Sequence, residues 1–397
     1  MEKQLTTIED FFATEPIPEE AWTAIRKILS AGSLFRYIQP KEESEVSLLE
    51  AEFAQLIGAK YALALNSCSS AMFLSLIAAG ICKGDKVLIP AFTFAAVPSA
   101  VVHAGAIPIL IETKDDYRID IEDLKSKMDS DVKAVLISHM RGHTSDMDKI
   151  IDIANENSLT VIEDAAHSMG AQWNGRYIGT LGRAGCFSFQ SYKLVNGGEG
   201  GMLVTDDEEI MVRAVYLSGA YEKNWQKHYG DSELYPHFQN VLPLFNLRLS
   251  NLSAAAIRPQ LKLIQPRAKL GREMNKRITS LLSGCKYISL AKYDHRELPA
   301  PDSIQFNLID FSVDEARTFM NAVRARGVSL YVFGSHPDNA RVFWNWGFIE
   351  AKPELPQTVS MLNKACDIRL PLTFTDSQLC YIAEVIKEET AKIKASS

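Results

Sequence analysis

Apolar positions change their period repeatedly along the chain, and each change marks an element. Residues 18–31 carry Ala21, Ile25, Ile28 and Leu29 at helical spacing and stop at Gly32; residues 44–58 repeat the pattern and stop at Gly58. From there short apolar runs alternate with amphipathic stretches. The runs predict strands over 61–65, 86–89, 107–111, 132–138 and 160–163, and the stretches between them predict helices over 70–79, 96–103, 120–128 and 147–157. Two further strands are predicted over 186–189 and 201–205, separated by a polar, glycine-rich turn. A helical run over 253–282 holds Pro259 and Pro266, which are expected to kink it. Beyond it, strands near 303–309 and 328–332 flank a helix over 313–326, and a terminal helix covers 375–394.

Strands joined by helix-length crossovers imply an α/β fold: a mostly parallel central sheet with helices on both faces. The later pattern implies a smaller α+β domain. The expected division is a large domain over residues 1–255, including the N-terminal helices, and a small one over 256–397. Sheets of this kind take ligands in the crevice beyond the carboxyl ends of their strands, so that edge is where chemistry is sought.

Composition narrows the picture without redirecting it. The chain has 397 residues, 47% of them apolar and 23% charged, which is ordinary for a soluble globular protein. A formal net charge of −7 and the lack of any basic run weigh against a nucleic-acid partner. The most apolar stretches, around 87–111, are interrupted by Pro90, Thr93, Pro98, His103 and Pro108 and fall short of the ~20 residues that span a bilayer, so no membrane contact is expected. The opening MEKQLTTIEDFF is polar and acidic and lacks a signal-peptide core. Six scattered cysteines without CxxC spacing suit a reduced, cytoplasmic protein rather than a disulfide frame or zinc site. His139 and His143 stand four apart in HMRGH, but no third ligand accompanies them, and no metal is expected.

Four strand ends carry candidate chemistry. In LALNSCSSAMFLSL a strand gives way to a helix through Asn66, Ser67, Cys68 and Ser69; small hydroxyl residues at a helix N-terminus suit a phosphate, and equally suit plain N-capping. In LTVIEDAAHSMGA a strand ends on Glu163–Asp164, setting a carboxylate at the crevice, with His167 close behind; a helix cap and a satisfied polar residue are the plainer alternatives. In SFQSYK, Lys193 follows a strand; desolvated, or beside another cation, it is a nucleophile toward an aldehyde, and otherwise a solvated loop lysine. In PAFTFAAVPSA, Phe94 or Phe92 offers a face to a planar ring or belongs to the core. GGEGG, at 197–201, leads into a strand, not a helix, and lacks dinucleotide-loop spacing. Together, an anion cup, a carboxylate, an aromatic ring and a lysine at one crevice are what pyridoxal phosphate needs.

The chain also resembles the sugar aminotransferases of the DegT/DnrJ/EryC1/StrS family, fold-type I pyridoxal-phosphate enzymes. The resemblance rests on GSLFRY, KYALALNSCSSAM, GDKVLIPAFTFAA, AGAIPILIE, ISHMRGHTSDMDKI, VIEDAAHSMGAQWNGRYIGTLG, CFSFQSYKLVNGGEGGMLVTDD and FNLRLSNLSAAAIRPQL, in that order. It implies Lys193 as the Schiff-base lysine, Asp164 as the partner of the pyridine nitrogen and His167 beside the phenolic oxygen. It implies Ser188 with Ser67, Cys68 and Ser69 as the phosphate set, and Phe94 as the stacking ring. Asn246 matches an asparagine that reaches the neighbouring subunit's phosphate, implying a homodimer with shared sites. Two positions depart from the family pattern: Cys68 stands where glycine is usual, and Tyr192 where threonine precedes the lysine. The implied reaction moves an amino group, from glutamate, to a keto-sugar that is nucleotide-linked or octulosonate-like. A sugar dehydratase, an amino-cyclitol aminotransferase and a non-catalytic binder share the scaffold. Lys193 favours transamination over dehydration, because the dehydratase relatives carry histidine there.

Overall fold

The computed structural model describes residues 11–350 and 352–396; most of the polar N-terminal dodecapeptide lies outside the described residues. Its strands, in chain order, are β1 (Tyr61–Leu65), β2 (Lys86–Pro90), β3 (Ile107–Ile111), β4 (Val132–Ser138), β5 (Thr160–Asp164), β6 (Gln172–Trp173), β7 (Arg176–Tyr177), β8 (Ala184–Ser188), β9 (Gly201–Thr205), β10 (Ile288–Leu290), β11 (Glu297–Leu298), β12 (Ser303–Leu308), β13 (Leu330–Val332) and β14 (Ala365–Arg369). Seven of them form one sheet in the order β1-β9-β8-β5-β4-β2-β3. All neighbours are parallel except β9, which runs against both β1 and β8. The expected mostly parallel α/β sheet is therefore present.

Both faces of this sheet are covered, which is why its strands read as unbroken apolar runs. Leu63, Leu65, Val87, Ile89, Leu136, Ile162 and Leu203 pack on one side, and Ala62, Ala64, Leu88, Val135, Ile137, Val161, Phe187 and Val204 on the other. The period-2 alternation sends neighbours to opposite layers, and each fully buried Leu, Ile or Val contributes about 1.5–3 kcal/mol. A second, four-stranded antiparallel sheet, β10-β12-β14-β13, centres a third cluster with Phe306, Ile368, Phe319, Val323 and Ile382.

Register sets the ligand edge. Ser138 pairs with Asp164, Asp164 with Cys186, Ser188 with Gly201, and Gly201 with Leu65. The carboxyl ends of β1, β4, β5 and β8 and the first residue of β9 thus lie side by side.

Several expected bounds move. The first crossover helix starts at Cys68, two residues early, because Ser67 caps it by accepting from the Ser70 amide at 3.1 Å. The run over 253–282 divides into a helix Asn251–Ile257, a 3-10 turn Arg258–Leu263 and a helix Ile264–Leu282. Pro259 accounts for the turn; Pro266 lies in the first turn of the last helix, where its missing N–H costs nothing. Helices Glu208–Ser218 and Pro356–Lys364 and strand β14 have no counterpart in the expected elements.

Candidate active site

At the shared edge lies a cavity of about 510 Å3 that extends to the four-stranded sheet. Ser67, Cys68, Ser69, Phe94, Asp164, His167, Ser188 and Lys193 all line it, so the structure brings together every expected site residue except Asn246. Asn246 is exposed and lies outside the cavity, on a segment tied to the end of β1 by the Asn66 amide donating to the Leu247 carbonyl at 2.8 Å.

Lys193 is on the turn between the antiparallel neighbours β8 and β9, its backbone N–H donating to the Gln190 carbonyl at 2.8 Å. Its Nζ stands 3.0 Å from His167 Nε2. Burial lowers the lysine pKa to about 8; the Arg141 charge pushes the same way, against Asp302 and Asp164. Burial, and then the Lys193 charge, holds His167 well below the ordinary histidine range. The imidazole is therefore neutral, and a ring nitrogen is available to accept from the lysine.

Strand alternation separates the two carboxylates at the end of β5. Glu163 turns to the far side, where it accepts from the amides of Gly179, Leu181 and Gly182 and pairs with His139. Asp164 faces the cavity. Ser138 Oγ donates to its Oδ2 at 2.8 Å and the Ala166 amide to its Oδ1 at 3.1 Å, so the group is held rigidly. Cys68 Sγ lies 3.8 Å from Asp164 Oδ1. Burial and the neighbouring carboxylate push this thiol far up, keeping it protonated. The side chain that replaces the family's usual glycine thus turns toward Asp164, and the helix keeps its regular first turn.

That first turn leaves the amides of Cys68 and Ser69 without intrahelical acceptors. Gly201 sits directly beneath it: a Cβ there would come within 2.2 Å of the Ser67 carbonyl carbon and 2.4 Å of the Cys68 nitrogen. Ser188 Oγ accepts from the Gln190 amide at 3.3 Å. Phe94 is half-exposed at the cavity wall, whereas Phe92 is buried 4.8 Å from the Phe333 ring and belongs to the core. Tyr192 does not crowd Lys193; its ring lies under the Arg369 guanidinium at 5.1 Å.

The sequence reading missed a set of charged groups. Arg141, Arg341, Arg369, Asp302 and Asp367 also line the cavity. Arg141 adopts a left-handed backbone (φ 56°) just past β4 and ion-pairs with Asp367, which also accepts from Gln305 Nε2 at 2.8 Å. It lay inside the HMRGH stretch, one residue class away from attention. His143 bonds to Gln305 at 2.9 Å, and among the described residues no group of three possible metal ligands occurs. Trp225, Lys227, His228 and Tyr229 do not line this cavity. His228 bonds to Tyr37 at 2.7 Å, Tyr229 to the backbone of Ala62, and Trp225 stacks on Tyr235.

The architecture is the aminotransferase fold. A putative sugar aminotransferase from Streptococcus pneumoniae, Spr1654 in its PLP form, superposes with a TM-score of 0.83 at 18% identity, covering 96% of this chain and 98% of that one. The chain belongs to the DegT/DnrJ/EryC1/StrS aminotransferase family, whose model matches residues 19–387. It is 36% identical over 233 residues to the spore coat polysaccharide biosynthesis protein SpsC of Bacillus subtilis, covering 58% of this chain and 59% of that protein. It is 31% identical over 215 residues to the GDP-perosamine synthase of Escherichia coli O157:H7, covering 53% and 55%. The matched segments thus span little more than half the length of these relatives.

Proposed function

We propose that this chain is a pyridoxal-phosphate-dependent aminotransferase that moves an amino group from glutamate to a keto-sugar, nucleotide-linked or octulosonate-like. The observation that carries the reading is Lys193: a lysine whose pKa is lowered to about 8, set in one cavity with a rigidly held carboxylate and a helix N-terminus.

The residues present suit the cofactor. First-turn amides at 68 and 69, with the hydroxyls of Ser67, Ser69 and Ser188, make a phosphate site. Asp164 would hold the ring nitrogen, Phe94 would face the ring and His167 would lie beside its phenolic oxygen. When bound, the group supplies an electrophilic carbon and an electron sink. The chain's own part is proton handling. Lys193 Nζ, neutral in roughly one molecule in ten at pH 7, takes the proton from the donor's α-carbon and later returns one to the acceptor carbon. Neutral His167 accepts from Nζ and aims it. Ser138 and the Ala166 amide fix Asp164 so that its charge does not turn away.

The exposed Asn246, amid exposed Leu244, Phe245, Phe35 and Ile38, supports a homodimer in which this asparagine reaches the partner's cavity. Six free cysteines suit a cytoplasmic location, and no described helix is long and apolar enough to cross a membrane. We keep the division near residue 255, just beyond the last bridge to the seven-stranded sheet, Leu65 with Arg248.

The test is spectroscopic. Purified protein should be yellow, its visible band should bleach with glutamate, and borohydride should fix the label on residue 193. Lys193→Ala should fold and lose the bleaching. A label on another residue, or wild-type bleaching in that variant, overturns the assignment; an active monomer in sedimentation overturns the role of Asn246.

A further inference from the structure

The charged side chains lining the cavity balance: Arg141, Lys193, Arg341 and Arg369 against Asp164, Glu199, Asp302 and Asp367. Net charge therefore decides nothing, and pairing does. Arg141 is bound to Asp367. Arg369 donates to the carbonyls of Ala13 at 2.9 Å and Tyr192 at 3.2 Å. Lys193 faces His167. The Arg341 guanidinium has no hydrogen-bond or ion-pair partner among the described residues, and its Nε is buried without one.

This arginine is not a loose surface group. On one side of it the Ala340 carbonyl accepts from the Ala95 amide and from Trp346 Nε1, each at 2.9 Å. On the other side Val342 bridges to Phe92. The Arg341 amide itself donates to Asn339 Oδ1 at 3.0 Å. A buried cation costs free energy unless something pairs with it. Arg341 as a whole is half-buried; burial and then the like charge of Arg141 disfavour its charge, while the Asp367 and Asp302 carboxylates offset part of this without bonding to it. A fixed backbone holding an unpaired guanidinium in a ligand cavity is a site prepared for an anion, and the planar fork matches a carboxylate.

We propose that Arg341 is a specificity-determining residue that anchors a carboxylate of the substrate. The inference rests on the aminotransferase reading for its substrates. The carboxylate has two possible sources, the amino donor and a sugar acid used as acceptor.

Calorimetry on the cofactor-loaded protein separates them with unreactive probes: glutarate for the donor, an octulosonic acid for the acceptor, and the neutral amide of each as control. Binding is read without turnover, so an error in the assigned reaction does not disturb it. Arg341→Gln should weaken one or both acids by about 10–100-fold and leave the amides unchanged. Arg341→Lys, a point charge without the fork, should lose less. A loss confined to glutarate assigns the carboxylate to the donor; a loss confined to the octulosonic acid assigns it to the acceptor. If Arg341→Gln does not fold or load, Arg341→Lys decides, with an expected loss of about 5-fold for at least one acid. Acids that bind a folded variant within twofold of wild type, amides that weaken as much as the acids, or no binding of either acid to wild type at ~10 mM overturns the proposal.

Discussion

The lowered pKa of Lys193 can be tested before any substrate is known. With a midpoint of about 8, roughly one lysine in ten is neutral at pH 7; at the ordinary 10.5 it is about one in 3000. The neutral amine is the nucleophile, so the difference is roughly 300-fold in reactive fraction at pH 7. The sign is fixed by the cause. Burial disfavours the ammonium, so the reactive form accumulates as pH rises through about 8 and is nearly complete by pH 9. Trace acylation of cofactor-free protein between pH 6 and 11, followed by peptide mapping, gives the titration of residue 193 by itself. Access to a cavity floor slows the reagent equally at every pH, so the midpoint is the readout and the absolute rate is not. Asp302 stabilises the ammonium from across the cavity, and Asp302→Asn should therefore move the midpoint lower still. A midpoint near 10.5, or an upward move in Asp302→Asn, refutes the electrostatic account of this lysine.

Two further perturbations probe what holds the site in place. Arg36 is 2% exposed and gives two N–H bonds to Glu50 at 2.8 and 2.9 Å, and Glu50 also accepts from the Ala64 amide of β1. Glu50→Ala leaves a buried guanidinium unpaired and should cost about 3–5 kcal/mol in denaturant unfolding; a loss below ~1 kcal/mol would show that the pair is relieved by water. Gly201→Ala sets a Cβ against the Ser67 and Cys68 backbone and must shift the first turn of the helix. Cofactor affinity, read by absorbance titration, should fall by at least ~10-fold, and an unchanged value would remove that turn from the phosphate site.

How much of this was legible depended on how far each signal travels along the chain. The six parallel strands were readable because apolar runs and their glycine and proline boundaries are local. Asp164, Lys193 and the Ser67–Ser69 turn were readable because each lies at the end of such a run. Which of Glu163 and Asp164 faces the cavity was decided by strand alternation together with the loop 179–182, whose amides satisfy Glu163. Local pattern did not rank Phe92 and Phe94, since both follow the same strand; the family resemblance favoured Phe94, and packing against Phe333 makes Phe92 core. Strand β14 was missed because its inward-facing Asp367 breaks the apolar pattern, and the carboxylate is there to pair with Arg141. The helix Glu208–Ser218 was missed although Asp207 caps it by accepting from the Ile210 amide.

The missed residues other than Arg141 share a property that bears on how the site works. Those that suit the cofactor sit at strand ends of the large sheet, within 200 residues of the start. Arg341, Arg369 and Asp302 come from or beside the antiparallel sheet, far along the chain, and no local pattern marks them. The Arg341 loop meets the large sheet through Ala95 and Phe92, on the segment that carries Phe94. On the role proposed for Arg341, substrate preference can be altered by replacing side chains around 341 and 369 without moving Asp164, Lys193 or the helix turn. The same separation fixes where specificity and chemistry part. Substitutions at Arg341 are expected to act on substrate affinity, and substitutions at Lys193 on the proton transfer itself. A variant at 341 that shifted the Lys193 midpoint by as much as Asp302→Asn would show that the two halves of the cavity are one electrostatic unit.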